Sequence, residues 1–152
     1  MSRLLTASFL FMIAGVASGL FYREFTKRSG FPEGQFTQLG LAHTHLLTLG
    51  FIVLLIVLVL ERVLTLSRSR LFGWFFWVYS AGVVVTSAML IWHGMLTVLG
   101  EESSAMIAGT AGLGHMLLTA GMVLLFLALR KAIKRAPHEP AASVVAPEPA
   151  RA

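Results

Sequence analysis

Ala42-His43-Thr44-His45-Leu46-Leu47 lies inside Leu39–Leu60, an apolar run long enough to cross a membrane. Ionisable side chains are costly in hydrocarbon, so a histidine at membrane depth is by default a functional-site hypothesis. Working outward, three more apolar stretches appear: Leu4–Tyr22, Leu71–Leu99 and Ala105–Leu129. Each is close to or longer than the ~20 helical residues that span a hydrocarbon core of ~30 Å. Backbone polar groups in lipid must be satisfied within the segment, which makes these stretches helices. The shorter, alternating segments of a transmembrane barrel are absent. The expected fold is an all-α integral membrane four-helix bundle over residues 1–135.

Composition agrees. Of 152 residues, 57% are apolar and only 12% charged, against about a quarter charged in soluble domains. The chain has no cysteine, which removes disulfides, cysteine-ligated zinc, iron–sulfur clusters and thioether-attached haem from consideration. All seven acidic residues are glutamates, and none lies deep in an apolar run. The net charge of +5 does not mark a nucleic-acid protein, because its basic residues flank apolar segments and form no stripe or recognition motif.

The same basic residues give an orientation. With both termini inside, Arg3, Arg62, Arg68, Arg70, Arg130, Lys131, Lys134 and Arg135 fall on the inner side. Arg23, Lys27 and Arg28 fall outside. Eight against three favours an N-in, C-in arrangement in a bacterial cytoplasmic (inner) membrane. Arg3 followed by an apolar run and small residues also has the look of a signal peptide; the reading taken is an uncleaved first helix. Gly15 and Gly19 form a G-x-x-x-G pair suited to close helix approach. Residues 136–152, rich in Ala and Pro and containing His138, read as a disordered cytoplasmic tail.

Depth relates the histidines to one another. At 1.5 Å per residue, His43 and His45 lie roughly 6–9 Å below the outer end of the second helix. His93 falls roughly 9 Å below the outer end of the third, and His115 roughly 15 Å below that of the fourth. All four occupy the outer half of the membrane, as one site or two adjacent ones. A low dielectric favours neutral imidazole, a common ligand for metals and haem. Without cysteine or buried carboxylate, an all-imidazole shell suits b-type haem, or copper or zinc. Gly94, Ala108, Ala111, Gly112 and Gly114 offer room for a macrocycle near the ligands. Arg23, Lys27 and Arg28, on the outer side, suit haem propionates.

His43 and His45 are separated by about 200° around the helix axis and face nearly opposite ways. One of them faces the bundle interior; the other faces a neighbouring helix, lipid or a second subunit. That geometry favours two centres or a homo-oligomer. The bland readings are a histidine that only hydrogen-bonds between helices, with Met89, Met95, Met116 and Met122 as packing. Trp74, Trp77 and Trp92 read as interfacial anchors, and Ser103 and Ser104 as caps of the fourth helix.

Ala42-His43-Thr44-His45 followed by Gly50 resembles the A-H-x-H segment of a ligand-bearing helix in subunit I of haem-copper oxidases and nitric oxide reductases. The resemblance implies that His43 and His45 ligate haems on opposite sides of one helix. It also sets this chain beside an architecture of three four-helix arcs, which a homo-oligomer built as a trimer would imitate. The adjacent His-His pair and the covalently linked tyrosine motif of that family are missing. Over its length, including Phe21-Tyr22-Arg23-Glu24-Phe25 and Gly112-Leu113-Gly114-His115, the chain resembles a family of small bacterial four-helix membrane proteins of unknown function.

The expectation is therefore a membrane haem b protein, with His43, His45 and His115 as metal ligands and His93 and Arg23 completing the cofactor site. Electron transfer and binding of a diatomic gas both remain open, as does catalysis. The alternatives are a copper- or zinc-binding protein without haem and a structural or regulatory membrane subunit.

Overall fold

A computed structural model describes residues 2–102 and 104–135; the expected tail, Ser103 and the side chains of Ala105 and Ala108 lie outside them. Four long helices make up the described chain: α1 (Ser2–Arg28), α2 (Gln38–Leu64), α3 (Arg70–Leu99) and α4 (Ala105–Arg135). No strand occurs among the described residues. Each helix is long and apolar enough to cross a membrane. Helices outrun the apolar stretches at several ends, because charged flanks such as Arg23–Arg28 and Arg130–Arg135 continue the same helical turns beyond the hydrocarbon.

Glycine contacts give the directions. A Cβ at Gly15 would meet Leu47, one at Gly19 would meet His43, and one at Gly50 would meet Phe11, so α1 and α2 run antiparallel. Gly82 lies on Leu118, Gly114 on Thr86 and Gly121 on Tyr79, which makes α3 and α4 antiparallel as well. Gly94 of α3 rests on the backbone of Leu39 at the start of α2. Both described ends of the chain therefore sit at one end of the molecule. Small residues allow these close approaches, on which helix association depends where no hydrophobic driving force separates protein from lipid.

Hydrogen bonds fix the entry into α2. Thr37 caps the helix, accepting from the Leu39 amide while its hydroxyl donates to the Gly94 carbonyl at 3.0 Å. Thr97 donates to the Gln38 side chain at 2.9 Å. At its other end α2 stops at Thr65, whose φ of 48° is left-handed. A short 3-10 turn, Leu66–Arg68, leads into α3, and the buried Glu61 carboxylate accepts from the Ser67 amide at 2.8 Å.

The expected bundle is loose and one-sided. α1 packs on α2, and α4 packs chiefly on α3, touching α2 only toward the end away from the histidines. At the level of His45, α2 and α4 are separated by a gap bridged by side chains. A second departure from regular helix follows immediately. Leu46–Ile52, directly after the two histidines, is a π-helical segment with i→i+5 bonding, such as the Val53 amide to the Thr48 carbonyl. Tyr79, buried on α3, donates its hydroxyl to the Leu49 carbonyl within that segment at 3.1 Å. Such segments are uncommon and concentrate at functional sites.

Candidate functional site

His45 and His115 come together. Their ring centroids are 6.4 Å apart and their planes stand at 80°. Each ring is tied to its own helix: Nδ1 of His45 lies 2.8 Å from the Leu41 carbonyl, and Nδ1 of His115 lies 3.0 Å from the Ala111 carbonyl. A carbonyl only accepts, so Nδ1 carries the proton in both rings and donates it. Nε2 of the neutral ring is then left with a lone pair. Backbone-anchored imidazole of this kind is the usual state of a metal-ligating histidine, with tautomer and ring orientation set in advance.

His43 faces the other way. Its Nδ1 donates to the Gly15 carbonyl of α1 at 2.7 Å, and its ring covers Gly19. The opposed faces expected from the two-residue spacing are present, and of the two arrangements left open, one site or two adjacent ones, the rings fall on two sides of α2. His43 belongs to the α1–α2 contact and His45 to the α2–α4 gap. His93 adjoins Gly94, which is level with Leu39, so it sits roughly 9 Å nearer the outer end than His45. Among the described residues, no ring contact or side-chain hydrogen bond joins it to the other histidines. Counting along each helix put His93 in the same layer; the Gly94–Leu39 contact sets it nearer the Gln38 end of α2.

The room-making residues divide in the same way. Gly94 and Gly114 are used up by helix packing, against Leu39 and Thr86, and leave no space for a cofactor. Gly109 and Gly112 of α4 face open space. Arg23 and Lys27 line a cavity of about 590 Å³ with Tyr22 and the 30–35 loop, one turn of α1 beyond Gly19. That cavity is on the His43 side of α2. Arg28 is not among its lining residues. Trp74, Trp77 and Trp92 are exposed along α3, as interfacial anchors would be.

No group of three or more His, Asp or Glu side chains converges among the described residues. Two imidazoles alone fall short of the four protein ligands of a structural zinc site, or the three of a catalytic one. Haem iron makes a smaller demand, since the macrocycle supplies four nitrogens and the protein only the axial ligands. His45 and His115, whose rings lie 6.4 Å apart, are the two imidazoles that could hold such a group together.

The π-helical segment was not legible in the sequence. The only pointer was Gly50, whose missing side chain admits Phe11.

The chain is thus an all-helical protein with four helices fit to span a membrane and one pair of backbone-anchored imidazoles between two of them. It belongs to the family described as "Protein of unknown function (DUF2871)", whose model matches residues 1–132. No curated protein and no solved structure matches it.

Proposed function

We propose that this protein is a membrane haem b protein in which His45 and His115 supply the two axial ligands, and that its role is electron transfer. The observation that carries the reading is the His45–His115 pair: rings 6.4 Å apart with planes at 80°, each with Nδ1 committed to a carbonyl one turn back. Donor count favours haem over bare copper or zinc, because only two imidazoles converge among the described residues. Gly112, one turn before His115 on α4, faces open space and supports room for a macrocycle beside the pair.

When bound, haem would supply a one-electron iron centre. The protein's own residues orient and tune it. The Leu41 and Ala111 carbonyls hold the rings in one tautomer and make Nε2 a better donor. Two histidines on one iron occupy both axial positions, which leaves none for a gas; of the two roles open from the sequence, electron transfer is the better supported. His43, bonded to Gly15, serves the α1–α2 contact in a single copy. A ligand role for it, with Arg23 near propionates, requires a second centre on that face.

A homo-oligomer, with a trimer as the simplest form, goes with this reading. Helix α4 exposes Met116, next to His115, and a second copy would cover it. The N-in, C-in orientation in a bacterial cytoplasmic membrane rests on the arginine and lysine distribution.

The test is the absorption spectrum of protein purified from haem-replete cells. A Soret band that shifts on dithionite reduction, with one haem per chain, is expected. Protein free of haem but carrying stoichiometric copper or zinc would overturn the reading in favour of a bare metal site. Protein with neither would leave a histidine pair that only packs. Mass measurement in detergent tests the oligomer: fully haem-loaded monomers would sink it.

A further inference from the structure

At the opposite end from the histidines, three arginines from three separate elements surround one cavity. Arg3 comes from α1, Arg68 from the 3-10 turn and Arg70 from the first position of α3. The cavity holds about 330 Å³, and no carboxylate lines it. Ser69, between two of the arginines, is 8% exposed and lines it too. It occupies the N-cap position of α3, yet its side chain makes no capping bond. A helix N-terminus also favours negative charge. Cations, a hydroxyl that makes no cap bond and the start of a helix thus converge on one space.

The floor of that space is apolar. Phe76 and Trp77 line it together with Arg3, and the same three residues line a second groove of about 460 Å³ that extends along α1 to Leu10. From Arg3 to Leu10 is roughly 10 Å of helix, running away from the charged end into the apolar span. Gly73 leaves the α3 wall bare, since nothing lies within 4 Å of where its Cβ would be. A cationic cup that opens into an apolar channel is complementary to an anion bearing a hydrocarbon tail.

We propose that this site binds one anionic phospholipid, with the headgroup phosphate held by Arg3, Arg68 and Arg70 and an acyl chain laid along Phe76, Trp77 and Leu10. Guanidinium forks suit phosphate oxygens, and basic side chains at a membrane surface attract anionic lipid. The site lies at the end that carries both described ends of the chain. The charge rule makes this the cytoplasmic leaflet, where anionic headgroups are plentiful. It stands apart from the histidine pair and does not depend on haem.

The test uses the full chain, purified in detergent and examined by native mass spectrometry with phosphatidylglycerol, phosphatidylcholine or inorganic phosphate added. One phosphatidylglycerol retained per chain is expected, with weaker retention of phosphatidylcholine. Arg68→Gln and Arg70→Gln should each weaken retention about fivefold. Gly73→Leu fills the cup beside the arginines with every charge in place and should weaken it as well. Equal retention of both lipids would overturn the proposal, as would Gly73→Leu protein that holds phosphatidylglycerol normally. Inorganic phosphate displacing the lipid at equal concentration would reduce the site to a phosphate cup and overturn the lipid assignment. If the arginine variants fail to fold, Gly73→Leu decides.

Discussion

The Nδ1–H of His43 donates to the Gly15 carbonyl across 2.7 Å, and it does so over a glycine, Gly19, whose missing side chain leaves space for the ring. The G-x-x-x-G pair of α1 is therefore a seat for an imidazole as much as a helix-packing motif. A Cβ at Gly19 would stand 2.7 Å from Nδ1 and 3.0 Å from Cε1 of His43. The ring cannot swing away without losing its bond to Gly15. Gly19→Ala should cost about 1–3 kcal/mol, measured as a lower unfolding temperature in detergent, while Gly109→Ala, facing open space, should leave it unchanged. Equal stability of the two variants would contradict this seat.

The His45–His115 pair predicts a non-additive pattern. If the two rings share one iron, His45→Ala and His115→Ala should each shift or abolish the Soret band, and the double variant should be no worse than the more damaging single one. Groups that act as a unit behave in this way. His93→Ala, remote from the pair, should leave the band intact. A band lost in His93→Ala and kept in His45→Ala would reverse the assignment.

Tyr79 tests the π-helical segment. Its hydroxyl is the side-chain donor to the Leu49 carbonyl, and the residue is 1% exposed. Tyr79→Phe keeps the ring and removes the donor, which should cost about 1 kcal/mol. Because the segment begins directly after His45, the variant should also broaden or shift the haem spectrum. A fully wild-type spectrum and stability would show that the segment holds itself.

Thr65 predicts a gain. A β-branched residue at φ 48° is strained, and glycine is the usual occupant of such a helix stop. Thr65→Gly should raise stability by up to about 1 kcal/mol, read as a higher unfolding temperature in the same detergent. A drop would mean that Thr65 makes a compensating contact.

Much of this molecule is readable from residues alone. Four runs near the membrane-spanning length have one backbone solution in lipid, so the helices follow from composition. The 200° between His43 and His45 follows from helix geometry, and their opposed placement agrees with it. The G-x-x-x-G approach was legible because glycine four apart leaves a flat helix face. The boundaries were less so, because polar flanks continue a helix without announcing it.

The site itself is only half legible. Depth is one coordinate, counted along each helix, and it placed all four histidines in one half of the span without saying which rings meet. How the helices are staggered is set by contacts such as Gly94 on Leu39, which leaves His93 outside the His45–His115 pair. Which glycines make room and which are filled is likewise a matter of the facing helix: Gly114 meets Thr86, whereas Gly112 meets nothing. The sequence by itself determined four helices, their antiparallel order and a two-sided histidine element, since local geometry and the demands of hydrocarbon suffice for these. Only the tertiary structure decided that His45 meets His115, that His43 serves α1 and that the helix widens between Leu46 and Ile52. Those outcomes depend on contacts between residues far apart in the chain, Phe11 on Gly50 and Tyr79 on Leu49 among them, which no local pattern encodes.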